Sequence, residues 1–197
     1  TDNFSSDNTE EKIKKIAKKN KFIKLITLSK NFGRTASQYA GLDNSNGDLY
    51  FMIDVDCEDP PELLIEFVKK LESGYDIVYG IRNRIKESFF LYLFGKIFYR
   101  LANLLSDDEI VLDMAEFSLF SDKVKKEIMK VNTNFPFIRG ELASVGFKKA
   151  GIKYFRVPRK YGSSKFKFFD LLYFAIGGVL STSTFFLRIS AILGVIF

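Results

Sequence analysis

The densest chemistry in the chain lies in Asp54-Val55-Asp56-Cys57-Glu58-Asp59. Three carboxylates at alternate positions, Asp54, Asp56 and Glu58, point the same way if the backbone stays extended. Left unpaired they would repel one another, so a cation belongs among them. The chain has no histidine and one cysteine, Cys57, which leaves oxygen ligands and therefore Mg²⁺ or Mn²⁺. Such an ion can bridge a nucleotide diphosphate and neutralise it as a leaving group. The same composition removes Ser-His-Asp triads, histidine zinc sites, disulfide frameworks and CxxC redox chemistry. The plainer reading is an acidic loop that caps a helix. It is adopted for Asp59 and Glu62, whereas Asp54 and Asp56 directly follow an apolar run and are read as functional.

That run, Leu49 to Ile53, is five apolar residues in succession, the pattern of a strand buried on both faces. Asp59-Pro60-Pro61-Glu62 then predicts a helix to about Glu72, with an acid at the N-cap and proline at the first position. Upstream, helices are predicted from Asp7-Asn8-Thr9 to about Lys19 and from Arg34 to Asn44, with a strand at Phe22–Leu28 between them. Tyr75 to Tyr79 reads as a further strand. This alternation implies a parallel sheet covered by helices, with ligands beyond the carboxyl ends of the strands. After Gly80 the pattern changes to a long aromatic helix, about Ser88–Leu105. A short strand near Glu116–Phe120, helices near Ser121–Lys130 and Phe137–Val145, and an extended stretch at Phe147–Val157 follow.

The 197 residues are 47% hydrophobic and 27% charged, enough for one domain with a sizeable core. The net charge is +6, and the stretch from Leu142 to Phe169 holds eight basic residues and no acid. The rest of the chain is therefore slightly acidic. This basic strip immediately precedes the most apolar segment, a position that suits anionic lipid better than a merely solvated face. Nucleic acid is not expected, since no nucleic-acid-binding motif accompanies the charge. An interfacial helix is predicted from about Phe166 to Thr184, and after Arg188 the apolar run Ile189–Phe197 reads as the first turns of a transmembrane helix. A soluble helical hairpin is the alternative.

Seven segments, in order, resemble the family 2 glycosyltransferases of GT-A fold, specifically those acting on polyprenyl phosphates (the bactoprenol glucosyltransferases and dolichyl-phosphate mannose synthases). Asp2-Asn3-Phe4-Ser5-Ser6-Asp7-Asn8-Thr9 resembles VDDGSxDxT. Leu28 to Arg34 with Ala40-Gly41-Leu42 resembles LSRNFGKxxAxxAGL. Asp54 to Glu62 resembles DADLQDPPE, and Val78 to Arg82 resembles VYGxR. Asp113 to Phe117 resembles DxGDF, Phe137 to Gly140 FxRG, and Arg159 to Phe166 RxxGxSKY. The sequence departs from the pattern where Asn3 replaces an acid, Phe4 a glycine, Glu58 a frequent glutamine and Ser118 an arginine. The family's first strand would precede Thr1, so the chain reads as truncated at both ends.

The resemblance implies an α/β GT-A domain over 1–165, Rossmann-like, with a mostly parallel sheet and helices on both faces. A juxtamembrane helix and partial transmembrane segment would follow over 166–197. It implies that Asp54, Asp56 and Glu58 hold the divalent ion, and that Asp2 and Asn3 reach the base and ribose of a nucleotide sugar, with Asn31, Gly33 and Asp54 on the same ligand. Asn31 and Gly33 are also ordinary turn residues. Arg82 would neutralise phosphate charge. Asp113 or Glu116 would lie near the acceptor, and Arg139, Arg159, Ser163, Ser164 and Lys165 would grip the diphosphate or the lipid phosphate. The plainer readings make Arg82 and Arg139 surface ion-pair residues and place Glu116 on a solvated edge. The implied reaction is an inverting transfer of a sugar, UDP-glucose favoured, to a polyprenyl phosphate at the cytosolic face of the inner (plasma) membrane. A homo-oligomer is compatible with it. A glycan or protein acceptor, a non-catalytic membrane-anchored module of the same fold, and a soluble nucleotidyltransferase are the alternatives.

Overall fold

The computed structural model describes residues 1–83, 114–130 and 137–157, together with 190 and 194. The chain forms two compact units, Thr1–Asp48 and Leu49–Phe197. The predicted helix at Ser88–Leu105, the segment 166–197 and the boundary at 165/166 lie outside the described residues. Among the described residues no helix is long and apolar enough to cross a membrane.

The first unit holds helix α1 (Thr9–Lys19) and helix α2 (Arg34–Asp43). Acids in the first turn of α1, Glu10 and Glu11, and lysines in its last turn suit the helix dipole. Gly33, at the N-cap of α2, has φ +88°, a left-handed conformation that glycine takes without penalty. The strand expected at Phe22–Leu28 is reduced to a parallel bridge between Asp2 and Thr27. The Asp2 amide donates to Ile26 O at 2.7 Å and Leu28 N donates to Asp2 O at 3.0 Å. A turn at Asn20–Ile23 takes up the beginning of that segment, with Ile23 N bonded to Asn20 O.

The second unit is built on a four-stranded sheet, β1 (Leu49–Met52), β2 (Ile77–Arg82), β3 (Met114–Ser121) and β4 (Lys149–Tyr154), in the order β1-β3-β2-β4. Only β2 and β4 pair in parallel, since β3 enters between β1 and β2 and runs opposite to both. The expectation of a mostly parallel sheet is corrected to a mixed one. Strand β1 is also shorter and less covered than expected, because it lies at an edge of this sheet: Tyr50 is buried, while Leu49 and Ile53 are exposed.

Period-two alternation divides the core. Ala115, Phe117 and Leu119 of β3 join Val78, Tyr154 and the fully buried Phe67 of helix α3 (Leu64–Glu72). The rings of Phe67 and Phe117 lie 4.9 Å apart, and that of Tyr154 is 5.3 Å from Phe117. Helix α4 (Asp122–Ile128) and helix α5 (Ile138–Ser144) also pack on β3 and contribute Val124, Ile128, Ile138 and Leu142 as buried apolar side chains. Glu141 is buried too, and the Phe137 amide donates to its carboxylate at 3.4 Å. The helix predicted from Asp59 begins instead as a 3₁₀ turn at Pro61–Leu63 with Pro60 at its N-cap and no side-chain capping bond. Neither Asp59 nor Glu62 caps it.

Candidate active site

The loop 54–59 leaves the carboxyl end of β1, and its backbone turns rather than running extended. Cys57 has φ +59°, and Asp56 Oδ1 accepts the Glu58 amide at 3.2 Å. The alternation of faces survives this turn: Asp54, Asp56 and Glu58 are partly buried, whereas Val55 and Cys57 are exposed.

The three acids converge on Arg156. Its Nη1 pairs with Glu58, its Nη2 lies 3.9 Å from both Asp54 and Asp56, and its Nε donates to Asp59 Oδ1 at 3.0 Å. Asp59 is the buried end of the cluster, with side-chain exposure falling from 27% at Asp54 through 22% and 12% to 1%. Burying a carboxylate so fully is costly without partners. Asp59 has three: Arg156, the Tyr154 hydroxyl, which donates at 2.6 Å, and Arg82 Nη2 at 3.9 Å. Arg82 Nε in turn donates to the Tyr154 oxygen at 3.4 Å. Backbone bonds fasten the same junction, Val157 N to Glu58 O at 2.9 Å and Asn83 N to Tyr154 O at 2.8 Å.

These contacts set the ionisation of the site. Burial acts to lower the pKa of Arg156, but the hydrogen bond and charge of Asp59, with Glu58 and Asp56 behind it, raise it above the ordinary guanidinium value. Burial, and then the bond to Asp59, push the Tyr154 phenol up to about 12 against the opposing hydrogen bond of Arg82. Both groups therefore hold their protons at neutral pH.

A divalent ion fits this loop in chemistry, since Asp54, Asp56, Glu58 and Asp59 all offer carboxylate oxygens. It does not fit the arrangement as it stands. Among the described residues no three Asp, Glu or Cys side chains gather as an ion's ligand set. Asp54, Asp56 and Glu58, the expected ligands, all turn to Arg156.

The remaining predicted residues fall into separate groups. Within the first unit, Asp2 is 5% exposed and accepts the Ser5 amide at 3.2 Å and the Ser5 hydroxyl. Asn3 Nδ2 donates to Asn31 Oδ1 at 2.9 Å, Asn3 Oδ1 accepts Phe32 N, and Asn31 Oδ1 also accepts Gly33 N. Asp2, Asn3, Asn31 and Gly33 are thus joined through two adjoining loops. Phe4, at the position where the family pattern led to the expectation of glycine, adopts φ +64°. In the second unit Arg82 joins the acid cluster. Glu116 is partly buried on β3, and Arg139 Nη1 bonds Met114 O at 3.5 Å while its guanidinium lies 5.0 Å from the Phe137 ring centre. Neither Glu116 nor Arg139 has a bond to the acid loop among the described contacts. Asp113, Arg159, Ser163, Ser164 and Lys165 lie outside the described residues.

Three members of the cluster escaped the sequence reading: Asp59 as its buried hub, Tyr154 and Arg156. Asp59 had a signal, since it is the fourth acid of one short run. Arg156 was counted with a basic strip facing lipid, yet its side chain is turned inward onto acids.

The family model of "Glycosyl transferase family 2" matches residues 1–129. The chain is 34% identical over 88% of its length to "Uncharacterized glycosyltransferase YkcC" of Bacillus subtilis (strain 168), covering 54% of that relative. It is 32% identical over 98% of its length to "Prophage bactoprenol glucosyl transferase homolog" of Escherichia coli (strain K12), and over 96% to "Bactoprenol glucosyl transferase" of Shigella phage SfV, covering 63% and 62% of them. The chain therefore spans between half and two thirds of the curated relatives it matches. With its acid loop on the carboxyl end of a sheet strand and the family model over most of its length, the chain belongs to glycosyl transferase family 2.

Proposed function

We propose that the protein transfers a sugar from a nucleotide sugar, with UDP-glucose the favoured donor, to a polyprenyl phosphate at a membrane surface, the catalytic domain on the cytosolic side. The names of the bactoprenol glucosyl transferase relatives support the acceptor class. The observation behind the chemistry is the convergence of Asp54, Asp56 and Glu58 on the Arg156 guanidinium beyond the end of β1.

The nucleophile in this reading is a phosphate oxygen that is already ionised at neutral pH, so the site needs no strong general base and no histidine. Displacement is in line, with inversion at the anomeric carbon, and the protein's share is positioning and charge stabilisation. Asp54, Asp56 and Glu58 would hold Mg²⁺ or Mn²⁺, which when bound neutralises the departing diphosphate. Arg82, held by Asp59 and Tyr154, would add positive charge for the diphosphate. Asp2 and Asn3, with Asn31 and Gly33, would hold the nucleoside. Glu116 or Asp113 would orient the acceptor, and Arg139, Arg159, Ser163, Ser164 and Lys165 would bind its phosphate. The basic stretch from Leu142 to Phe169 would draw the protein to anionic lipid.

The test is a panel of labelled sugar nucleotides offered with polyprenyl phosphate to membranes containing the full-length protein. One donor should label the lipid. Asp54→Ala should lower that transfer by at least about a hundredfold, the scale expected when a charge-stabilising group at the reacting centre is removed. Retained turnover in Asp54→Ala would refute the ligand assignment.

A further inference from the structure

Resting on the reading of Arg82 as a group that neutralises diphosphate charge, we propose that Tyr154 and Asp59 are positioning residues for the transfer. Together they hold the Arg82 guanidinium in one orientation before the nucleotide sugar arrives. Neither supplies the positive charge, and neither is assigned a contact with substrate.

The sheet provides the alignment. In the parallel pairing of β2 with β4, Arg82 lies opposite Tyr154, so the two side chains leave the sheet on one face. Gly80 shares that face of β2, and its missing Cβ admits the Tyr154 ring: a Cβ there would lie 2.5 Å from Tyr154 Cε1. The hydroxyl of that ring donates to Asp59 Oδ1 at 2.6 Å and accepts Arg82 Nε at 3.4 Å. Asp59 Oδ2 lies 3.9 Å from Arg82 Nη2. Nε and Nη2 form one edge of the planar guanidinium, so both contacts take the same edge and set the plane of the group. Asp59 and Tyr154 are buried, whereas the Arg82 side chain is 38% exposed. A long cation at the open end of a strand otherwise samples many rotamers, and that freedom is given up when a ligand binds. The hold is light, one long hydrogen bond and one ion pair at 3.9 Å. Its effect should therefore be about fivefold to tenfold, against about a hundredfold for the charge itself.

The experiment is a double-mutant cycle on the full-length protein, reading kcat/KM for the nucleotide sugar that labels polyprenyl phosphate. Tyr154→Phe keeps the ring and removes the hydroxyl. It should lower kcat/KM about fivefold to tenfold in the wild-type background, and by less than about twofold in Arg82→Gln. A purely structural tyrosine would cost the same factor in both backgrounds; that result overturns the proposal and leaves Arg82 its role. Wild-type kcat/KM in Tyr154→Phe overturns it as well. Full activity in Arg82→Gln overturns the reading of Arg82 and the proposal with it, as does a lack of transfer from every donor in the panel. A second measurement is independent of whether the tyrosine variant folds. The ¹⁵N resonance of Arg82 Nε–H, assigned by its absence in Arg82→Lys, should have an order parameter above about 0.6 in the wild-type protein without nucleotide. A lower value overturns the proposal.

Discussion

The phenol of Tyr154 donates to a carboxylate that is almost wholly buried, and that bond ties the end of β4 to the acid loop. It also gives the cluster a pH signature. A tyrosine ordinarily titrates near 10.0, and here burial and Asp59 push the phenol up to about 12. The folded protein therefore keeps a proton that the unfolded chain gives up near pH 10. The stabilisation is present in full below pH 10 and is lost as pH rises through about 12. Of the nine tyrosines, one should ionise last in a phenolate absorbance titration, and Tyr154→Phe should remove that step. The difference in urea midpoint between wild type and Tyr154→Phe should shrink across the same window; a constant difference would count against the bond. At this scale the acids were legible because they are neighbours in sequence. Their partners were not: Tyr154 and Arg156 lie 95 and 97 positions from Asp59, one inside a strand and the other in a basic stretch whose local pattern suggests solvent or lipid.

Strand β2 places Gly80 where only glycine fits. A Cβ there would lie 2.5 Å from Tyr154 Cε1 and 3.0 Å from Phe117 Cδ1, both on buried rings, so a ring must shift to admit it. Gly80→Ala should cost about 2 kcal/mol by overpacking, measured by urea unfolding. It should also return the last tyrosine ionisation toward ordinary values, because the displaced ring loses its reach to Asp59. A stability loss without that change would mean that the Tyr154 ring stays in place and other groups take up the strain. Helices and strand positions were largely legible, since α2, α3 and β2–β4 follow local apolar period and turn residues. Sheet order was not. The antiparallel entry of β3 between β1 and β2 depends on a strand that arrives more than thirty residues after β2 ends, and nothing in the spacing of β1, α3 and β2 announces it. The strand expected at Phe22–Leu28 is reduced for a related reason: β pattern becomes a strand only where a partner lies alongside, and among the described residues only Asp2 does so here.

Across the whole chain, burial is unevenly distributed. Within Thr1–Asp48, Leu42 and Asp2 are the buried residues, and α1 buries none of its eleven residues. Strand β3, by contrast, buries Met114, Ala115, Phe117, Ser118, Leu119 and Phe120. An isolated helix of that length is marginal in water, because one costly nucleus is spread over few bonds. What supports α1 locally is modest: dipole-matched ends and an exposed Glu10–Lys14 pair at i,i+4, worth a few tenths of a kcal/mol. Opening of α1 should therefore require much less free energy than opening of β3. Native-state hydrogen exchange should show α1 amides exchanging roughly a hundredfold faster, or more, than those of Phe117–Phe120. The functional consequence differs between the groups of site residues. The acid loop follows β1 of the slow-exchanging sheet and is tied to β4 through Tyr154, whereas Asp2 and Asn3 lie in the unit of α1, held by the Asp2–Thr27 bridge and by side-chain bonds. Equal protection in α1 and β3 would show that α1 draws stability from burial, and would remove the basis for that difference.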